Sequence, residues 1–304
     1  TNLEFASRVD GKMHACGHDC HAAMLLGVAK ILSEMKDKFS GNIKLFFQAA
    51  EEIGLGAKLS IEQGVMDNVD ACYGVHVTPR FESPKINMQY GERMAATDVF
   101  KLTVEGTSSH GSSPHLGHDA IVASAAIITA LQTIVSRINN PLKPAVVTIG
   151  TIKGGQRFNI IANEVIMEGN VRTFDEIFRK EIETHIREIA ESVAKAHSCT
   201  AKLEYRYGTG VVLNKDKNLV DIAQNAVKKL YGEDSLVEME KITGGEDFSL
   251  LMEKAPGIFG YIGTRNPKVP GSEKINHHEC FTVDEDALIR GTAVAVQFAL
   301  DYLN

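Results

Sequence analysis

Over residues 20–36 apolar side chains recur at three- and four-residue spacing (Ala22, Leu25, Leu26, Ala29, Leu32), which predicts an amphipathic helix. After the polar turn that Gly41 ends, Asn42–Phe47 reads as a buried strand (Ile43, Leu45, Phe46, Phe47) running into Gln48-Ala49-Ala50-Glu51-Glu52. A short helix is expected from Gly54 through Gln63, and Val69–Val77 as a further apolar strand, with His76 near its end and Pro79 stopping it. Near Arg93 the texture changes. Thr97–Val104 alternates like a half-exposed strand, and Gly106–Gly117 is a polar, glycine-rich loop. A long helix follows over about 118–138, then strands at Ala145–Ile152 and Asn163–Arg172 around a Gly154-Gly155 turn. A charged amphipathic helix runs from about Asp175 to His197, and a strand from Thr200 to Tyr207.

That β-α-β-β-α-β order is the ferredoxin-like arrangement. It predicts a self-contained unit, 95–206, inserted between two halves of an α/β domain formed by 1–94 and 207–304. From 218 onward the α/β texture resumes: a helix at 218–231, a turn at Thr243-Gly244-Gly245, a strand at Ile258–Ile262, and a closing helix at Asp284–Leu303. No repeat and no low-complexity segment interrupts this order.

With 304 residues, 44% hydrophobic and 23% charged, the chain has the make-up of a globular protein with a large core. A net charge of −7 without any Lys/Arg block argues against a nucleic-acid partner. No apolar run approaches the roughly 20 residues that span a bilayer, and the start does not resemble a signal peptide, so no membrane partner is expected. Five cysteines without tight disulfide spacing point to a reducing compartment, hence to the cytoplasm.

The candidate chemistry is concentrated. Seven of eleven histidines fall in or beside three short motifs: His14, His18 and His21; His110 and His115; His277 and His278. Met13–His21 combines three of these imidazoles with Cys16 and Cys20, and imidazole and thiolate are the ligands zinc-like metals prefer. Cys16 and His18 fit a loop before the first helix, whose N-terminus favours a thiolate. The competing reading is a reduced, partly buried thiol beside capping histidines. Glu51 and Glu52 are adjacent carboxylates that point to opposite sides of an extended chain, so one can bind metal while the other serves as a general base. The competing reading there is a solvated face. His76 could equally be a core histidine, and His277-His278 a surface pair. Gly54-Leu55-Gly56 lacks the rest of a dinucleotide fingerprint and reads as turn geometry.

Taken in order, Met-His-Ala-Cys-Gly-His-Asp, Glu-Glu, Gly-Val-His-Val, Gly-Glu-Asp-Phe and a His before Asp-Glu-Asp-Ala-Leu resemble the amidohydrolase branch of the aminoacylase/carboxypeptidase-type metallopeptidases. That branch includes hippurate hydrolases, N-acyl-amino-acid deacylases and plant auxin-conjugate hydrolases. The resemblance implies a zinc-peptidase-like catalytic domain, helices around a mixed sheet, with the insert as a lid or dimerisation domain. It also implies two divalent metal ions per chain (zinc, manganese, cobalt or nickel). Cys16 would be the bridging ligand, with His18, Glu52, His76 and His277 completing the two metal spheres and Glu51 acting as general base on a metal-activated water. His277 rather than His278 is implied because the ligand stands four residues before an aromatic, here Phe281; Glu279 replaces a common proline. Ser109-His110-Gly111-x-x-Pro114-His115 resembles a family loop whose histidine, here His110, hydrogen-bonds the oxyanion, often in the partner subunit. Asn159 and Arg172 match positions that hold the substrate carboxylate, a task suited to the guanidinium fork. Gly245-Glu246-Asp247-Phe248 matches a loop near the site, with no role implied for its two acids.

The function implied is hydrolysis of the amide of an N-acyl amino acid, with an acetyl or an aromatic acyl group, by a cytoplasmic homodimer joined through the lid domain. A dipeptidase-type metallopeptidase is the near alternative. A metal-free cysteine hydrolase using Cys16 would leave Glu51, Glu52 and the dispersed histidines without a task. A non-catalytic binding dimer is a third possibility: relatives carry several tens of residues, including an Ala-Asp-Met-Asp-Ala-Leu-Pro segment, before the point where this chain begins. On that resemblance the N-terminal part of the catalytic domain is expected to be absent.

Overall fold

A computed structural model describes residues 1 and 3–304. The chain divides into two compact units: Thr1–Arg93 with Leu213–Glu240 and Leu250–Asn304, and Met94–Val212 with Lys241–Ser249. The loop Lys241–Ser249, which carries the Gly-Glu-Asp-Phe motif, thus belongs with the second unit rather than with the segments that flank it.

The first unit opens with α1 (His18–Glu34), α2 (Gly56–Glu62), β1 (Cys72–Glu82), β2 (Ile86–Asn87) and β3 (Gly91–Met94). The second unit follows as β4 (Ala96–Glu105), α3 (Ala120–Thr133), β5 (Ala145–Gly154), β6 (Glu164–Thr173), α4 (Glu176–Ala196) and β7 (Thr200–Tyr207). The chain then runs through β8 (Val212–Asn214), α5 (Lys217–Tyr231), α6 (Phe248–Met252), β9 (Gly257–Arg265) and α7 (Asp286–Leu303).

In the first unit the sheet order is β1-β9-β2, with β1 parallel and β2 antiparallel to β9. The central strand is buried along nearly its whole length, which explains its continuous apolar run. Ile258 and Ile262 of β9 pack with Val220, Ala223 and Val227 of α5 and with Val294 and Phe298 of α7. On α1 the buried stripe is Cys20, Met24, Val28 and Leu32, at helical spacing. Two expectations are corrected here. Residues 42–50 form no strand: Ile43 and Leu45 pack beside Val28, Leu32 and Val296, but among the described residues no ladder pairs with the segment. An extended segment becomes a strand only when a neighbour takes its backbone hydrogen bonds. Pro79 does not stop β1, which continues to Glu82 through a register shift between Thr78 and Glu82. β1 is an edge strand, where a missing N–H is tolerated.

The second unit builds a four-stranded antiparallel sheet of order β5-β6-β4-β7. Alternation along β4 sends Phe100, Leu102 and Val104 inward, against Ile127 and Leu131 of α3 and Ile182 and Ile186 of α4. Each such large side chain contributes about 1.5–3 kcal/mol on burial. Asp119 and Asp175 cap α3 and α4, accepting the backbone N–H groups of Ile121 and Val122, and of Ile177 and Phe178. Among the described residues one ion pair is buried at both ends: the Arg179 guanidinium grips Asp98 at 2.5 and 2.9 Å, while Tyr205 Oη and Gly208 N donate to the same carboxylate at 2.9 and 3.0 Å.

One sequence expectation about membranes is also corrected. α3 with its π-helical extension, Ala120–Ile138, is a 19-residue helix of mean hydropathy 1.7, long and apolar enough by composition to cross a bilayer. Isolated polar residues such as Ser124 and Gln132 break the run without making its average polar. In this fold Ala123, Ile127, Leu131 and Ile134 have no exposed surface and line the unit's core.

Candidate metal centre

The first unit gathers its chemistry from four places: the turn before α1, the turn after residue 50, β1 and the loop before α7. The turn before α1 depends on Gly17, whose φ is 103°. A Cβ there would overlap Val77 Cγ2, so both the conformation and the space require glycine. The loop before α7 is tied to this turn by His277 N donating to Ala15 O at 2.6 Å and by Asn276 Nδ2 donating to Cys16 O at 2.8 Å. Ala50 and His277 have φ values of 61° and 73°, so the residue preceding Glu51 and one candidate ligand both sit in the left-handed region. Non-glycine residues held there cluster at functional sites.

The potential ligand atoms fall into overlapping groups, each spanning no more than 4.8 Å: Cys16, His18 and His76; Cys16, Glu52 and His277; His18, Glu51 and Glu52. Cys16 belongs to the first two. Within these groups Cys16 Sγ is 3.3 Å from His76 Nε2, His277 Nε2 is 3.3 Å from Glu52 Oε1, and His18 Nε2 is 3.5 Å from Glu51 Oε2. His76 Nδ1 lies 2.7 Å from Val77 O, so Nδ1 carries the hydrogen and Nε2 offers its lone pair toward Cys16. Burial pushes the His76 imidazole down to about 4, partly offset by that backbone bond, so it is neutral at physiological pH. A neutral imidazole oriented by a carbonyl is the form in which histidine binds metal. Thiolate, imidazole and carboxylate donors together fit divalent transition metals.

The structure separates these donors from look-alikes beside them. His21 is a framework residue: its Nε2 accepts the Val77 N–H at 3.0 Å, and burial, with His76 and His18, holds its pKa well below the usual value. Cys20 is buried on α1, and burial with the neighbouring Asp19 pushes its thiol up to about 12. His278 Nδ1 accepts the Cys280 N–H at 2.9 Å and belongs to none of the three groups, whereas His277 does. Asn276, which ties two ligand loops together, was not singled out by the sequence; its position next to His277 is the only signal there.

The remaining candidates lie in the second unit. His110 is exposed, with Ser112 on its Nδ1, and its backbone forms a bridge with Ile160; Gly111 N donates to Asn159 O at 2.8 Å. His110 and Asn159 are therefore neighbours on paired loop segments. Arg172 stands apart from them on β6, bonded to Thr97 and Asn170. Glu246 and Asp247 are buried.

Residues 1–301 match peptidase family M20/M25/M40. The chain is 39% identical over 292 residues to the N-acetyl-L-cysteine deacetylase of Bacillus subtilis, covering 96% of this chain and 68% of that protein. It is 39% identical over 309 residues to thermostable carboxypeptidase 1 of Saccharolobus solfataricus, covering 100% and 77%. The solved structure of the Bacillus subtilis YXEP protein, a dinuclear metal binding peptidase from the M20 family, superposes with a TM-score of 0.85 at 34% identity, covering 100% of this chain and 77% of that one. The chain belongs to the M20/M25/M40 peptidase family. It is a hydrolase acting on amides.

Proposed function

We propose that the protein hydrolyses the amide bond of N-acyl amino acids at a two-metal site held by Cys16, His18, Glu52, His76 and His277. The observation that carries this reading is the set of overlapping donor groups sharing Cys16, with Glu51 beside His18 and Glu52. When bound, two divalent cations lower the pKa of a water and polarise the scissile carbonyl. Glu51 then takes the proton from the attacking water and returns it to the leaving amine, within reach of His18, which limits its freedom to turn away. His110 steadies the oxyanion. Arg172 and Asn159 hold the substrate carboxylate, a reading supported by an Arg172 fork that among the described residues is engaged by the neutral acceptors of Thr97 and Asn170.

The second unit serves as a ferredoxin-like lid and dimerisation domain; its β-α-β-β-α-β order and strand order β5-β6-β4-β7 support the first term. Exposed Ile121 and Val122 on α3 support a homodimer contact there. Five free cysteines support a reducing, cytoplasmic setting. The N-acyl group is acetyl or aromatic, the former supported by the deacetylase relative. A peptide substrate is the second reading, supported by the carboxypeptidase relative.

Elemental analysis of the wild type and Cys16→Ser, paired with amino-acid release from N-acetyl amino acids, N-benzoyl amino acids and dipeptides, tests the metal site and the substrate class. About two metals per chain, lost with activity on substitution, is the expected result. Activity persisting in metal-stripped protein would overturn it in favour of a cysteine hydrolase. Metal bound without turnover on any amide would favour a binding dimer.

A further inference from the structure

Arg172 of β6 pairs in register with Thr97 of β4, so their side chains share one face of the second unit's sheet. Its guanidinium is half-buried, and burial lowers its pKa. Nη1 donates to Thr97 Oγ1 at 2.7 Å, and Nε to Asn170 Oδ1 at 3.4 Å. Among the described residues no carboxylate lies within ion-pair reach of it. Asp98 acts on it electrostatically but points to the opposite face of β4, where Arg179, Tyr205 and Gly208 already occupy its oxygens. Arg172 is therefore a poorly solvated cation anchored by neutral acceptors at Nε and Nη1, with Nη2 making none of these bonds. That arrangement retains attraction for an incoming anion, which a bonded carboxylate would cancel.

The 3.4 Å bond from Asn170 is at the limit of a useful hydrogen bond, so the Thr97 hydroxyl is the firmer anchor. Thr97 is itself held on several sides. Its N donates to Thr209 O at 2.9 Å and its O accepts from Gly208 N at 3.1 Å. Against its hydroxyl packs Gly245, the first residue of the Gly-Glu-Asp-Phe motif: a Cβ at 245 would overlap Thr97 Oγ1 and stand 3.1 Å from Thr209 Oγ1. Thr209 is buried, and among the described residues its hydroxyl has no hydrogen-bond partner, so it leaves the Thr97 hydroxyl to Arg172.

We propose that Thr97 and Gly245 are positioning residues for substrate recognition: the glycine leaves room for the Thr97 hydroxyl, and that hydroxyl sets the Arg172 fork to receive the α-carboxylate of the substrate. This rests on the reading that Arg172 holds that carboxylate. It assigns a task to the glycine of the Gly-Glu-Asp-Phe loop, and it makes the preference for free acids over amides depend on two residues outside the proposed metal ligands.

The test compares the N-acetyl amino acid that is turned over best with its C-terminal amide, which lacks the carboxylate. Acid-over-amide preference, read from KM, is measured in wild type, Thr97→Val, Thr97→Ser, Gly245→Ala and Arg172→Met. Arg172→Met is expected to remove the preference. Thr97→Val and Gly245→Ala are expected to lower it about tenfold, the scale of one hydrogen bond to a charged group. The change falls on KM rather than kcat, and Thr97→Ser restores the preference because it restores the hydroxyl. Calorimetric affinities of metal-free protein for the same two compounds give a second readout that needs no turnover. Preference lost in Arg172→Met but intact in both Thr97→Val and Gly245→Ala would overturn this inference alone. Preference intact in Arg172→Met would overturn the carboxylate assignment and the inference with it.

Discussion

The donor cluster of the first unit and the sheet of the second solve opposite problems with opposite materials. Cys16, Glu51, Glu52 and His277 sit on turns, three of them at or beside left-handed backbone, and His76 projects from a strand. In the second unit Phe100, Leu102 and Val104 project from a central strand paired on both sides from Asp98 to Glu105. Turns let side chains from distant segments converge at ligand spacing, but they contribute little burial of their own. Ladders bury side chains at fixed intervals and rarely bring unlike polar groups to one point. The two regions therefore respond differently to substitution: the first in chemistry, the second in stability.

The largest effect that would sharpen this contrast is at Glu51. Glu51→Gln is expected to lower kcat about 10³-fold, within the range for loss of a general base, while elemental analysis still finds the metal and the melting temperature hardly moves. A large loss of stability instead would break the comparison, since Glu51 would then be part of the framework. Next is the buried pair of the second unit. Arg179→Leu leaves Asp98 with only neutral partners in a buried site, at a cost of about 3–5 kcal/mol, read by chemical denaturation. Metal content should be unchanged. Ile127→Ala, at a core position without exposed surface, is expected to cost about 2–5 kcal/mol by the same measurement.

The smallest effect concerns the cap of α4. Asp175→Asn is expected to cost about 1 kcal/mol or less at neutral pH, and the cost is pH-dependent. Lys143, then the N–H groups of Phe178 and Ile177, hold the Asp175 carboxyl below its ordinary value of 3.8. A carboxyl whose pKa is lower in the folded than in the unfolded protein binds its proton less readily when folded. Its stabilisation is full above the unfolded value and is lost as pH falls through the folded one. The difference between wild type and Asp175→Asn should stay constant from pH 7 to about 5 and shrink below about 4. A difference that grows on acidification would contradict this.

The same contrast governs what could be read from residues alone. The β-α-β-β-α-β order of the second unit was legible because alternation and helical spacing are imposed by the local backbone. Pairing is not local, and residues 42–50 show it: apolar alternation predicts a strand, but a strand exists only where another segment accepts its hydrogen bonds. Pro79 was misread for a related reason, because its effect depends on whether the strand is an edge. In the cluster, residue types brought Cys16, His18, Glu51, Glu52 and His76 forward as candidates, and the family resemblance divided their roles. Residue types could not tell His277 from His278 or demote His21, since those distinctions rest on which backbone N–H each ring accepts. Thr97 carried no signal and Gly245 only its place in the Gly-Glu-Asp-Phe match, as their relation to Arg172 exists only in the folded chain.

The parallel pairing of β1 with β9 joins Cys72–Thr78 to Gly257–Gly263 across most of the chain. A ribosome delivers residues in order, so β1 waits for β9, with the whole of Met94–Val212 emerging in between. Short-range ladders close sooner than long-range ones, and domains tend to fold as units during synthesis. The inserted unit is thus placed to mature first, while Cys16, His18 and His76 are kept apart from His277 until the last stretch arrives. The proposed ligand set would then be complete only at the end of assembly.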